Sequence, residues 1–543
     1  MVFARRSTTL LAAIIASCAM VLSLTACTSD NKTVVDGQTT VTSNSAGGVA
    51  VFTPSDGITL NQQTPLNKWA KLVPDLAKAL ADAGFKKGDI DHTTSDSLAK
   101  QSRAIQDFVV DHLSNNTTDD SGIAIAPDNM TLLVAPVVEA DASTRQYGDY
   151  VSQNLSTNDA TDGEATSDGE SSEDDSSKDD SSNTESDSTA SDEQAQAVDR
   201  LVSSLKLAKE SGMHVVLLGN SIEGYKPDAF VKFSDAQTIG KLQAEKMVSK
   251  LKLDKASKDN PKYIEVLLPY TAVDEKGNAN DSTFAQEAFR GIWQVLGSYY
   301  QKGVVESPSG TLDGKSTEND WQAVAYDAAK EGSTAKVLDK RLAKTDGQST
   351  LTRIDGIITM NDYIASEVVK ELDDLGYTGS AADINPQITI SGIVGNITGK
   401  KDLSRDAVPD PIKSPENDNA NDSSSSDDDA DEDTSASDKD RDLQWPLVTG
   451  YGAYVSNIPS IVNGKQWMTG MEDRQTIATD IAQACAKLNK DEALNSMPSI
   501  RNSEVGGVKK IPTISEPLLA VSASNLKSAL IDPGYISLAD AGL

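Results

Sequence analysis

The sequence predicts an α/β fold built on doubly wound parallel sheets. Three observations carry that prediction. Short apolar runs alternate with helically periodic segments along most of the chain, the order that winds strands into a parallel sheet. The alternation restarts after about residue 230. The length of 543 residues is enough for two or more domains.

The N-terminus reads as a leader. Arg5 and Arg6 precede an apolar stretch at 10–24, too short and too early for a confident membrane span. It ends in Leu24-Thr25-Ala26-Cys27, which resembles a bacterial lipobox. On that reading 1–26 is a lipoprotein signal peptide, Cys27 carries the lipid and 27–47 is a hydrophilic tether. The alternative is an ordinary secretory cleavage site that precedes a cysteine. Cys18 lies in the leader, so only Cys485 remains, on a helical face expected to be buried. One cysteine makes no internal disulfide, and no metal-ligand spacing is present.

The strands and helices then follow in turn. Residues 48–53 read as a strand and 67–84 as an amphipathic helix with Leu72, Leu76 and Leu80 on one stripe. A short strand is expected at 89–92, a helix at 98–113 and a buried strand at 130–134. The next helix is interrupted by an acidic run and resumes at about Ala195, through Leu201, Leu205 and Ala208, before Gly212 and a strand at 214–218. The second series has strands at 230–233, 263–268 and 304–305, alternating with helices at 236–251, 284–300 and 320–329. Its clearest unit is 354–376, where an apolar strand, the turn Met360-Asn361-Asp362 and a helix ending at Gly376 follow one another. Strands at 387–394, 446–449 and 467–469 follow, with helices at 457–462 and 476–488. Extended chain at 511–521 and a final helix at 523–529 complete the series.

The formal charge of −33 is concentrated in two runs. Residues 159–199 hold fifteen acidic residues against one lysine, and 416–442 hold twelve against Lys439 and Arg441. Both are poor in aromatic and branched apolar residues, so they are expected to be disordered insertions. An EF-hand order is missing from both. What remains is mildly acidic and has no basic stripe to neutralise phosphates, which argues against nucleic-acid binding. Three scattered histidines, no nucleophile elbow and no glycine-rich phosphate loop argue against an enzyme and against a cofactor.

Several segments together resemble a known family. These are Asn67-Lys68-Trp69, FSDAQTIGKLQAEKMV at 233–248, DGKSTEN at 313–319, IDGIITMND at 354–362, VTGYGAYVSNIPSIVNGKQ at 448–466 and IPTISEPLLAVSASNLKSALIDPGY at 511–535. In order and spacing they resemble the type I periplasmic binding proteins for sugars, in the xylose-binding and multiple-sugar-binding branch. The resemblance implies two doubly wound lobes joined by a hinge, with the ligand held between them. One lobe would be 48–234 plus 471–517, the other 235–470 plus 518–543. It further implies an import permease with its ATPase as partners, and a monomer tethered to the outer face of the cytoplasmic membrane.

Site residues carry over in part. Trp69 matches an aromatic beside the cleft, where its face would suit the C–H face of a sugar; lobe packing is the other reading. Asn361 matches an asparagine that binds a sugar hydroxyl, or else it is a turn residue. Elsewhere the pattern departs. Asn220-Ser221 stands where relatives have Asp-Arg, Lys315 where they have an aromatic, and Gly450-Tyr451-Gly452 where they have Gly-Gln-Asp. Met471-Glu472-Asp473 falls near their Tyr-Lys-Pro. Asn220, Lys315, Tyr451 and Glu472 therefore join Trp69 and Asn361 as candidate ligand contacts. The ligand differs, or the charged groups have moved, or the cleft no longer takes a free sugar. The expected function is a lipid-anchored solute receptor of an importer, binding a sugar or similar small polar ligand. The alternative is a surface interaction or signalling protein with a degenerate cleft.

Overall fold

The computed structural model of the protein describes residues 46–55, 65–115, 126–138, 145–150, 153–156, 184–273, 280–342, 352–382 and 444–543. The leader with Cys27, most of the tether, the first acidic run up to 183, the strand expected at 387–394 and the whole second acidic run lie outside them.

Two sheets organise the chain. The first contains β1 (Gly48–Pro54), β2 (Ile90–Ser95), β3 (Met130–Val134), β5 (His214–Leu218) and β7 (Ala229–Val231), then β15 (Ile500–Val505) and β16 (Val508–Ile514). The second contains β8 (Lys262–Val266), β10 (Val305–Glu306), β12 (Gly356–Ile358), β13 (Leu447–Tyr451), β14 (Met468–Met471) and β17 (Leu519–Ser522). Small side pairs join β4 (Asn154–Leu155) to β6 (Ser221–Ile222) and β9 (Leu268–Pro269) to β11 (Ala325–Tyr326).

Both sheets repeat one plan. The first runs β2-β1-β3-β5-β7 and the second β10-β8-β12-β13-β14, each parallel throughout. Counted along the chain, each is the doubly wound order 2-1-3-4-5. Each is closed by an antiparallel neighbour, β15 beside β16 in one and β17 beside β14 in the other. The chain passes between the sheets three times: after β7, after β14 and after β16.

Strand composition follows from burial on both faces. In the first sheet Val49, Val51, Leu133, Val216 and Leu218 pack with Leu72, Leu76 and Leu80 of α1 (Trp69–Asp82) and Ile477 and Ile481 of α10 (Arg474–Leu488). The alternate residues Ala50, Phe52, Leu132, Val134, Val215 and Leu217 face α2 (Leu98–Asn115) and α3 (Thr184–Glu210). Period-2 alternation thus sends neighbours to opposite layers, and both layers are apolar. Cys485 is fully buried on α10. In the second sheet α4 (Ala236–Lys250) and α5 (Thr283–Gln301) pack almost backbone to backbone. A Cβ on Gly240 would meet the Ala288 carbonyl at 2.2 Å, and one on Gly291 the Gln237 carbonyl at 2.0 Å. No described helix is long and apolar enough to cross a membrane.

The structure departs from the sequence reading in several places. The first acidic run is helical from Thr184 onward, because α3 extends backward from its packed end at Ala197 and Val198 through the helix-favouring Glu193-Gln194-Ala195-Gln196. Between β3 and the acidic run the described residues hold no α-helix; a short 3₁₀ turn (Arg145–Tyr147) and β4 stand there instead, and α3 is the first helix after β3 among them. The helix expected over 320–329 is only α6 (Trp321–Val324), since Ala325 and Tyr326 pair with Leu268 and Pro269. Near the C-terminus a π turn (Lys527–Ile531) replaces the helix expected at 523–529. Elements not foreseen include α7 (Ser333–Arg341) and the strand β15, whereas the short helix expected at 457–462 is present as α9 (Ile458–Val462).

Candidate functional site

In a doubly wound sheet, ligands bind at the carboxyl edge where the strand order reverses. That point lies between β1 and β3 in the first sheet and between β8 and β12 in the second. The residues just beyond these strands, and those at the crossings, are the place to look.

On the first edge stands Trp69, the first residue of α1. Its ring is 3% exposed and sits edge-on to Tyr150 at 5.2 Å and to Phe233 at 5.8 Å. Tyr150 and Phe233 stack at 4.6 Å. Asn220, just past β5, is buried; its amide donates to the Pro136 carbonyl at 2.9 Å and accepts from the Gln153 amide at 3.0 Å. These two bonds tie the ends of β3 and β5 to the segment before β4.

The second edge is polar. Asn361 is the N-cap of α8 (Asp362–Leu375), and its Oδ1 accepts from the Ile364 amide at 2.9 Å. Its Nδ2 donates to Gln146 Oε1 at 3.1 Å. Met360 before it has φ of 69°, a left-handed conformation uncommon outside glycine. Asp362, also fully buried, accepts from the Tyr454 amide, the Thr469 hydroxyl and the Gln466 amide at 2.7–2.9 Å. Burial outweighs these bonds and raises its pKa to about 6.

Glu472 lies at the second crossing, immediately after β14, and is 1% exposed. Its Oε1 accepts from the Ser234 amide at 2.7 Å and from the Ser234 hydroxyl. Ser234 is at the first crossing, so one carboxylate fastens two crossings together. The Tyr451 hydroxyl, at the end of β13, lies 3.3 Å from both Glu472 Oε1 and Ser234 Oγ. Burial raises the Glu472 pKa to about 6, against the Ser234 hydrogen bonds. Lys315 stands apart: its side chain is exposed, and its backbone amide donates to Asp313 in a surface turn.

Four of the six candidates, Trp69, Asn361, Tyr451 and Glu472, therefore lie around one junction. Sequence reasoning missed the segment that joins them, Gln146–Tyr147 with Gly148, Asp149 and Tyr150. It also missed Ser234 as the partner of Glu472, and it named Asp362 only as part of the polar turn after the strand, not among the candidate contacts. Two tyrosines within an otherwise polar stretch were the only signal for the segment. Chemically the junction offers amide and hydroxyl hydrogen-bonding groups and aromatic faces, a set suited to recognition.

No family model matches the chain, and no curated protein matches it. The chain is similar to several solved structures. One is an ABC transporter solute-binding protein of Clostridium phytofermentans with bound beta-D-glucose, at 17% identity and TM-score 0.44, covering 91% of this chain and 99% of the other. A carbohydrate transporter solute-binding protein of Chloroflexus aurantiacus with D-glucose gives 18%, 0.43, 92% and 98%. A periplasmic ribose ABC transporter structure of Conexibacter woesei gives 13%, 0.42, 90% and 96%. At these identities and TM-scores the likenesses carry no argument about the ligand or role of this chain.

Proposed function

We propose that the protein is an extracytoplasmic solute-binding protein of an ABC importer, anchored through a lipid on Cys27, whose two lobes close on a sugar or similar small polar solute. One observation carries the reading. Two sheets of the same 2-1-3-4-5 order are linked by three crossings, and Trp69, Asn361, Tyr451 and Glu472 gather beside those crossings at the carboxyl edges. Each sheet marks one lobe, 48–234 with 471–517 and 235–470 with 518–543. The crossings form the hinge, and contacts from both lobes favour closure. The partners are the permease and its ATPase, the binding protein acts as a monomer on the outer face of the cytoplasmic membrane, and no catalytic step is involved.

A second reading is a surface interaction or signalling protein with a degenerate cleft. It is supported by the state of the candidate contacts: the Asn361 amide and the Glu472 carboxylate already bond to groups of the same chain.

A thermal-shift screen against pentoses, hexoses, oligosaccharides, nucleosides and polyols separates the two. A solute that binds only the folded state raises the melting temperature. The receptor reading expects a hit that weakens in Asn361→Ala. A screen without a hit moves the assignment to the second reading.

A further inference from the structure

We propose that Gln146–Tyr147 with Gly148, Asp149 and Tyr150 is a built-in occupant of the cleft, a strap that holds the two lobes together in the place a solute would take. The proposal rests on the two-lobe hinge reading above, and deepens it.

The segment lies in the chain between β3 and β5 and is fastened to the first lobe. Asp149 forms an ion pair with Lys68 at 2.7 Å and accepts from the Trp69 amide at 3.1 Å. The Asp149 amide donates to the Asn67 carbonyl at 2.8 Å, and the Tyr150 hydroxyl donates to the Lys68 carbonyl at 2.5 Å. Its other end belongs to the second lobe. Gln146 Oε1 accepts from Asn361 at 3.1 Å, and the Gln146 carbonyl accepts from the Tyr454 hydroxyl at 2.6 Å. The Tyr147 ring lies 4.6 Å from Phe284 and 6.2 Å from Tyr451. Tyr147 is 1% exposed and is part of the apolar core of the second sheet, although in sequence it lies between β3 and β5 of the first.

The contacts are those of a ligand: a hydrogen-bonded amide, a hydrogen-bonded carbonyl and an aromatic ring against aromatic walls. The two hydrogen bonds come from the carboxyl edge of the second sheet, beyond β12 and β13, and one of them is from Asn361 itself. Gly148 is the turn that permits it. Its φ is +95°, and a Cβ there would stand 2.5 Å from the Asn67 carbonyl oxygen, so any other residue unseats the strap from the first lobe. A solute then reaches Asn361 and Tyr454 only after the strap has left. Apparent affinity is reduced by the fraction of molecules still strapped.

Hydrogen exchange on the full chain, read by peptide, tests this with Gly148→Ala and, as a milder change outside the core, Gln146→Ala. D-glucose and D-xylose titrations by calorimetry run alongside. The strap predicts that amides at 66–72, 146–150 and 451–457 exchange at least tenfold faster in both variants without solute, while those of α10 do not change. It also predicts at least tenfold tighter binding of whichever sugar binds. Unchanged exchange at the junction in both variants overturns the proposal, and so does faster exchange with equal sugar affinity in wild type and variants. Faster exchange with no binding of either sugar to any form supports the strap, and counts against the sugar-receptor reading alone.

Discussion

The two sheets share a strand order, yet their carboxyl edges are built from opposite materials. The first edge is an apolar wall, in which Trp69, Tyr150 and Phe233 pack on one another and Asn220 is used up on backbone groups. The second edge is a polar lattice around Asn361 and Asp362, with Thr469, Gln466 and the Tyr454 amide all pointed at one carboxylate. A shared backbone plan fixes where a site lies, and side chains decide what each half of it can do. The apolar wall is costly to dent, whereas the polar lattice responds to protons and to hydrogen-bonding partners.

The largest expected effect follows on the apolar side. Trp69→Ala removes a buried ring from a three-ring cluster and should destabilise by about 3–5 kcal/mol in urea unfolding. A loss under about 1 kcal/mol would mean that the ring is not part of a packed wall, and the contrast between the edges would fail.

The polar side should instead show itself in pH. Asp362 and Glu472 both keep their protons to about pH 6 in the folded state, against ordinary values of 3.8 and 4.5. The folded state therefore holds more protons than the unfolded chain across that window. Their contribution to stability is fully present below about pH 4, declines as pH rises toward 6 and is gone above it. At about 1.4 kcal/mol per pKa unit, the loss is about 3 kcal/mol for Asp362 and about 2 kcal/mol for Glu472. Subtracting the stability–pH curve of Glu472→Gln from that of wild type should isolate the second of these, and Asp362→Asn the first. A flat difference curve for both would show that the carboxylates are better solvated than their burial indicates. Asn361→Ala is smaller: it removes one N-cap bond and the contact to Gln146, for about 1–2 kcal/mol. Asn361→Asp keeps an acceptor for the Ile364 amide, so it should recover most of that loss.

The unequal legibility of the two edges has a physical cause. The strand–turn–helix at β12 and α8 was readable because a short apolar run, a capping Asn and a terminal Gly376 lie next to one another in sequence. α1, α4, α5 and α10 were readable because their buried residues recur at helical spacing. β15 was not, since only Ile500 and Val505 at its ends are buried and no alternation marks it. α6 looked longer than it is because the pairing of Ala325 and Tyr326 with β9 is set by distant residues. The junction was the least legible part. Asn361 meets Gln146 across 215 residues, and Ser234 meets Glu472 across 238. No local pattern carries such a pairing, so a carboxylate chosen as a ligand contact gave no hint that it also fastens two crossings.

Lys315 gives the smallest expected effect and sharpens the comparison from outside it. It lies beyond β10 in a turn held by Asp313, which accepts from the Lys315 and Ser316 amides. These bonds use the backbone of Lys315 and leave its ammonium in solvent. Lys315→Ala should therefore change stability by less than about 0.5 kcal/mol, as surface substitutions do. If the site is confined to the two edges, solute affinity should also stay the same, at low and at high salt. A severalfold loss of affinity that disappears at high salt would instead bring the ammonium within reach of the ligand. The turn at 313–316 would then close over the junction in the bound state, and the polar edge would extend past β12 to β10.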